Sequence, residues 1–234
     1  MSIFSLSSMQ EFIIYIGVKL LVIVAILPVH EYAHARMAKR MGDNTAEIMG
    51  RMTLNPLAHI HPVGALMIIL TGFGFANPVP VIPRNFRNYR KGMALTSLAG
   101  PLSNIICAFV GYFIYKVATY VVGIYFYEFY NNAMSYLFMA VEIFILLNIN
   151  IAVFNLIPIP PLDGSNIFLS LAPRKLTALY YKYVHPHQKY VSMIFFALIV
   201  FGILDEPLSF LSNLVFRLLD YSLFWVDLIF QALI

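Results

Sequence analysis

The sequence predicts an all-α polytopic membrane protein, a bundle of about four to six transmembrane helices with a short re-entrant or β-like segment. Of the 234 residues, 61% are hydrophobic and only 11% are charged, whereas soluble domains average about 25% charged residues. Several apolar runs reach the roughly 20 residues that a helix needs to span a bilayer. The basic residues are also unevenly distributed between these runs, as membrane topology requires.

Composition excludes several classes of protein. The net charge of +4 is too small for a nucleic-acid-binding surface, so we expect no nucleic-acid partner. The one cysteine, Cys107, excludes an internal disulfide framework and a cysteine-rich zinc site. The first apolar run lacks a basic leader, so we expect no cleavable signal peptide. Residues 1–234 are predicted to form one membrane-embedded domain, with a core of about 10–170 and accessory apolar segments at 190–234.

The first predicted helix runs from about Glu11 to Met41 and ends at the stop signal Gly42-Asp43-Asn44. Its first part spans the membrane, and its basic last part emerges into water. Residues 63–75 are apolar, but this segment is short and contains three glycines, which favours a re-entrant or interfacial segment. The sequence Asn77-Pro78-Val79-Pro80 cannot lie inside a helix.

The second half of the chain adds further apolar segments. Residues 116–132 form an aromatic-rich connection, and prolines after residue 157 end the third long run. The last segment is interrupted by charges, so whether it spans or lies along the interface stays open. The segments are Met93–Tyr115, Ala133–Pro158, Tyr190–Leu204 and Leu208–Ile234.

The basic residues predict the orientation of the chain. If residues 63–75 do not cross, 12 of the 15 lysines and arginines share one side. If this segment crossed, Arg84–Lys91 would lie opposite Arg36–Arg51. The positive-inside rule therefore favours the re-entrant form, an outside N-terminus and a cytoplasmic end for the first helix.

The pentapeptide His30-Glu31-Tyr32-Ala33-His34 lies at that cytoplasmic end. Histidines at i and i+4 lie on one face of a helix and can bind one metal ion together. The glutamate between them is placed to act on a water molecule as a general base. Ionisable groups in or against a bilayer are costly and are functional by default, so a chance match is disfavoured.

A zinc hydrolase needs a third protein ligand and an open coordination position. Asp163 is the best candidate, because it follows the span that ends near Pro158 and reaches the cytoplasmic side at the depth of His30 and His34. An aspartate followed by glycine after prolines also occurs in ordinary turns. The sequence alone leaves that alternative open.

The chain resembles the site-2 protease family of intramembrane zinc metalloproteases in several motifs. His30-Glu31-Tyr32-Ala33-His34 matches the first family motif, and the ten residues Asn155–Gly164 match the second. Ala99–Asn104 resembles the motif of the family's middle core helix. Three further segments resemble the compact prokaryotic branch without a PDZ domain: Gly42–Ala46, Gly50–Leu57 and Asn77–Pro80.

The resemblance covers about residues 10–170 and implies a function. We expect a zinc metalloendopeptidase that cleaves peptide bonds in or near transmembrane segments of membrane proteins, an activity called regulated intramembrane proteolysis. It would use one Zn²⁺ ion bound by His30, His34 and Asp163, with Glu31 as the catalytic base. Asn155 would contact the substrate or the oxyanion.

The remaining expectations concern location, partners and alternatives. We expect an integral protein of the prokaryotic inner membrane, in contact with lipid and a transmembrane substrate, with its active site toward the cytoplasm. A regulatory membrane partner, the substrate and the oligomeric state are not predicted. One alternative is a catalytically inactive zinc-binding scaffold, which would not need Glu31. The other is a metal transporter, which would need ligands along a path through the membrane.

Overall fold

The computed structural model describes residues 9–71, 76–126 and 132–232. It is mostly helical, and a π-helical turn at Val22–Ile26 joins the first two helices into one rod. The helices are α1 (Met9–Leu21), α2 (Leu27–Met41), α3 (Thr45–Ile48), α4 (Pro62–Thr71), α5 (Tyr89–Tyr125), α6 (Asn132–Asn155), α7 (Asp163–Leu171), α8 (Arg174–Leu179), α9 (Gln188–Val200), α10 (Asp205–Ser222) and α11 (Phe224–Gln231).

The predicted all-α polytopic membrane fold is confirmed. Three helices among the described residues are long and apolar enough to cross a bilayer: Ile16–Met41, Tyr89–Tyr125 and Met134–Asn155. A fourth span exists if Arg174–Val200 and Asp205–Ser222, which are bent by 83°, form one broken span. Four spans would equal the lowest number in the predicted range of four to six, and three spans lie below it.

Helix α5 packs against α2, α6, α7, α10 and α11. It continues ten residues beyond its predicted end at Tyr115, so residues 116–125 are helical and not a connection. Apolar side chains of α5, α6, α10 and α11 form the largest core cluster: Ala108, Tyr112, Ile145, Ile149, Val153, Leu219, Leu223 and Val226.

Helix α2 ends where the sequence predicts. Gly42 adopts a φ of 115°, a left-handed conformation that glycine accepts without strain, and its N–H donates to the carbonyls of Ala38 and Lys39. Asp43 is buried, and its carboxylate accepts hydrogen bonds from Ile82 N–H (2.6 Å) and the Asn85 amide (2.8 Å). The end of α2 is thereby tied to the loop that precedes α5.

Two backbone hydrogen bonds indicate the path of the predicted re-entrant segment. Arg87 N–H donates to Met41 O (3.0 Å), and Asn77 N–H donates to His59 O (2.7 Å). The chain therefore leaves through α4 and returns to the same end of the molecule, which supports the re-entrant form; residues 72–75 lie outside the described residues. Residues 76–82 have no regular secondary structure, and the described residues contain no β-strand.

Candidate active site

The two motif histidines lie one turn apart on the buried face of α2. Their Nε2 atoms are 3.0 Å from each other. Both residues are less than 10% exposed. The i, i+4 spacing of the sequence is thus realised as a single two-histidine face in the protein interior.

Asp163 approaches this face from the first turn of α7. Its Oδ2 atom lies 3.3 Å from His30 Nε2 and 3.2 Å from His34 Nε2. Gly164 makes this approach possible, because a Cβ at that position would lie 2.2 Å from Leu156 O.

A chain of amides fixes the tautomer of His30. It begins at Phe144 O, which can only accept, so the Asn148 amide nitrogen points there (2.9 Å). The Asn148 oxygen then accepts from the Asn104 amide (2.9 Å). The Asn104 oxygen therefore faces His30 Nδ1 (2.6 Å), which must carry the proton. His30 consequently presents an unprotonated Nε2 to Asp163.

A backbone carbonyl fixes the tautomer of His34 in the same way. Its Nδ1 donates to Thr96 O on α5 (2.7 Å), which leaves Nε2 as the lone-pair atom. Two imidazole lone pairs and one carboxylate oxygen therefore converge. The amide chain explains why Asn104 and Asn148 are both fully buried.

The converging atoms fit a tetrahedral metal ion. Ligands at about 2.0–2.1 Å from a tetrahedral centre are roughly 3.3 Å apart, close to the three distances found here. Asp163 Oδ2 is buried without a hydrogen-bond donor, and a cation would supply the missing partner. Gly100 of α5 backs the cluster, where a Cβ would lie only 2.3 Å from His34 Nε2. These three residues are the group of potential metal ligands that the described residues bring together.

Glu31 is buried beside the cluster, and its Oε2 atom accepts from Val79 N–H (2.9 Å). This bond ties α2 to the irregular segment at residues 76–82. It leaves Oε1 without a recorded bond among the described residues. The carboxylate is therefore held in position while one of its oxygens remains available.

Asn155 is at the C-terminus of α6, and its amide nitrogen donates to Ile151 O of the same helix (2.9 Å). The contacts of the described residues do not bring it into the cluster. Asn148 bonds across helices to Asn104, and the sequence does not predict that this link reaches His30. The signal that could have indicated it is the Ala99–Asn104 motif, which ends in this asparagine.

Comparisons with known proteins show which family model and which curated proteins the chain resembles. A family model described as Peptidase family M50 matches residues 116–202, which include Asp163. The curated relatives include YwhC of Bacillus subtilis, 42% identical over 144 residues, which cover 62% of this chain and 64% of the relative. They also include Rip2 of Mycolicibacterium smegmatis, 32% identical over 158 residues, which cover 64% and 56%.

Both relatives are named "Putative zinc metalloprotease". The chain spans less than two thirds of the length of either one. No solved structure shows a significant match. Together with the paired motifs and the membrane-spanning helices, the matches show that the chain is similar to peptidase family M50, the family that the site-2 protease resemblance also indicates.

Proposed function

We propose that this protein is an intramembrane zinc metalloendopeptidase that cleaves peptide bonds in or near transmembrane segments of membrane proteins. The observation that carries the proposal is the convergence of His30 Nε2, His34 Nε2 and Asp163 Oδ2 beside the Glu31 carboxylate. The similarity to peptidase family M50 and to relatives named zinc metalloproteases supports the metal-dependent protease class. The zinc ion, the intramembrane cleavage and the residue roles below are our proposal.

His30, His34 and Asp163 would hold one zinc ion. Bound there, zinc supplies a Lewis acid that polarises the scissile carbonyl and makes water more acidic. The amide chain from Phe144 keeps His30 Nε2 unprotonated, and Thr96 O does so for His34. The protein thus orients its ligands before the metal arrives, which lowers the cost of binding.

Glu31 would move the proton during cleavage. Its Oε1 takes a proton from the attacking water and delivers it to the leaving amine. Its Oε2 stays bonded to Val79 N–H, so the carboxylate keeps its orientation through both steps. A fixed base reduces the reorganisation that each proton transfer requires.

We further propose that Asn155 contacts the substrate backbone or the oxyanion. Such a donor stabilises the charge that develops on the scissile oxygen. The amide must first rotate away from Ile151 O. An Asn155→Ala variant would then lose activity but keep its zinc content, and a variant that loses both would contradict this role.

The same proposal places the protein in the inner membrane of a prokaryotic cell, with the site toward the cytoplasm. Hydrogen bonds gather residues 41–45, 82–87 and the C-terminus of α7 at one end of the molecule. That end carries most of the basic residues, as the positive-inside rule requires of a cytoplasmic face. The partners are lipid and a transmembrane substrate.

Two alternative functions, a zinc-binding scaffold and a metal transporter, would need different sets of residues from a protease. A zinc-binding scaffold needs the three ligands but no base, so the buried Glu31 argues against it. A transporter needs several ligand groups along a path, whereas the described residues form a single cluster of three.

The decisive experiment is co-expression with candidate single-span substrates. Wild type should cleave a substrate, and Glu31→Gln should abolish cleavage while the purified protein keeps its zinc. Glu142→Gln is the matched control, because this acid of α6 is exposed and away from the cluster. Equal activity of wild type and Glu31→Gln would overturn the protease assignment. In a separate measurement, Asp163→Ala should lose most of its zinc, and an unchanged content would remove Asp163 from the site.

A further inference from the structure

A cavity lies where α5 begins and α7 ends, outside the proposed ligands His30, His34 and Asp163, which we call the metal cluster. Its volume is about 360 Å³, within the roughly 300–1,000 Å³ of ligand pockets. None of the described residues that line it is acidic. They are Tyr89, Arg90, Met93, Asn166, Leu169, Ser170, Arg174, Thr177, Ala178 and Tyr181; we call this space the arginine cleft.

Its two arginines differ in their bonding. Arg90 holds the C-terminus of α7, because its Nε donates to Ser170 O (2.8 Å) and its Nη2 donates to Ala172 O. Arg174 is exposed, and it has no ion pair or hydrogen bond recorded among the described residues. One guanidinium therefore shapes the arginine cleft, and the other is available to a ligand.

The position of the arginine cleft restricts the chemical class of ligand that it can bind. Tyr89 and Arg90 open the α5 span, so the cleft lies at a boundary between lipid and water. Tyr89 and Tyr181 are half exposed there, as tyrosines at membrane interfaces are. The first turn of a long helix also contributes positive potential. An acid-free cavity with two guanidinium groups at this level suits a phosphate, which arginine binds through paired N–H groups.

We propose that the arginine cleft binds a phosphate ester group, supplied by the headgroup of an anionic phospholipid or by a soluble phosphate. Arg174 makes the charge-assisted contact, and Asn166 and Thr177 offer neutral polar side chains beside it. Basic pockets between membrane helices bind anionic headgroups by the same chemistry. The site is separate from the metal cluster and does not depend on proteolysis.

The test is calorimetric titration of the full chain in detergent with three probes. These are dihexanoyl phosphatidylglycerol, dihexanoyl phosphatidylcholine and inorganic phosphate. The anionic lipid should bind at least tenfold more tightly than the zwitterionic lipid. Arg174→Gln should weaken that binding at least tenfold, and Ala178→Trp should do so by filling the cleft without changing its charge.

Lys175→Gln is the matched control, since Lys175 is adjacent and exposed but does not line the cleft. It should change the affinity less than twofold. Equal losses in Arg174→Gln and Lys175→Gln, or no preference for the anionic lipid or phosphate, would overturn the proposal. Tight binding of inorganic phosphate that Arg174→Gln removes would support the site and identify soluble phosphate as its source.

Discussion

Helix α5 contacts two polar clusters that differ in how their charges are satisfied. About 18 Å beyond Asn104 along its axis, Lys116 Nζ lies 2.9 Å from Asp220 Oδ1 and 2.7 Å from Asp227 Oδ2. Tyr112 donates to Asp220, and Tyr120 donates to Asp227. In this Lys116 cluster each charge has a partner of the opposite sign.

The metal cluster has the opposite arrangement. Its donors, the two Nδ1 atoms, point outward to Asn104 and Thr96, so three acceptor atoms face one another. Three acceptor atoms without a donor between them repel one another, and a cation bound between them would remove that repulsion. The comparison teaches that burial and charge alone do not distinguish a binding site from a structural ion pair; the direction of the hydrogen bonds does.

The largest expected effect is that of Gly100→Ala. Its Cβ would lie 2.3 Å from His34 Nε2 and 2.6 Å from His30 Nε2, so the three acceptors could no longer converge. Zinc content should fall at least tenfold, although alanine favours the helix by about 1 kcal/mol. Gly123→Ala on the same helix is the control, because its Cβ meets no atom within 4 Å. Full zinc content in Gly100→Ala would contradict the placement of the metal.

Lys116→Met should affect the other cluster. It leaves Asp220 and Asp227 without a cation and should lower the free energy of unfolding by about 2–4 kcal/mol. The loss should be smaller than for a fully buried ion pair, because the Asp220 side chain is half exposed. Chemical unfolding in detergent measures this, and zinc content should not change. The control is Lys189→Met, an exposed lysine with no ion pair among the described residues. Equal unfolding free energies of both variants would show that the Lys116 cluster is not stabilising.

Asn148→Leu tests whether hydrogen-bond direction matters. Asn148 does not touch the histidines, but its loss frees the Asn104 amide to rotate and His30 to change tautomer. Zinc affinity, measured by competition with a chelator, should fall about 10–100-fold. Asn150→Leu, on the exposed side of α6, should leave it unchanged. If the two variants bind zinc equally, the amide chain does not orient His30.

The smallest effect is that of Asp43→Asn, on the loop contacts beside α2. Burial raises the pKa of Asp43, but hydrogen bonds from Thr45, Asn85 and Ile82 outweigh it and hold the pKa below 3.8. The ionised group therefore stabilises the fold above that pH, and the contribution disappears as the pH falls through the lowered pKa. Wild type should exceed the variant by about 1–2 kcal/mol at pH 7. A difference that does not shrink as the pH falls below 3.8 would contradict this.

The sequence predicted the fold class, the end of α2 and the approach of Asp163 to His30 and His34. These follow from local patterns and from the charge distribution. It did not predict that α5 continues past Tyr115, because Lys116 ends an uncharged run. The partners that neutralise Lys116 lie more than 100 residues further along the chain.

The link from Asn148 to His30 could not be predicted for a different physical reason. It depends on the rotation of α5 and α6 about their axes. In a membrane helix that is apolar on most sides, the sequence pattern does not define this rotation. Similarly, the described residues contain no β-strand, so the β-like form of the predicted segment is not found among them.

The hydrogen bond from Val79 N–H to Glu31 leaves residues 78–80 with backbone acceptors but no free backbone donor. Proline has no N–H, so Val79 supplies the single backbone donor of residues 78–80, and Glu31 already accepts from it. A peptide lying along these three residues would meet carbonyl oxygens and no free donor. It would have to present its own N–H groups, which an intact helix does not have available. If residues 78–80 contact the substrate of the proposed protease, they would therefore bind an unwound segment in preference to a helical one.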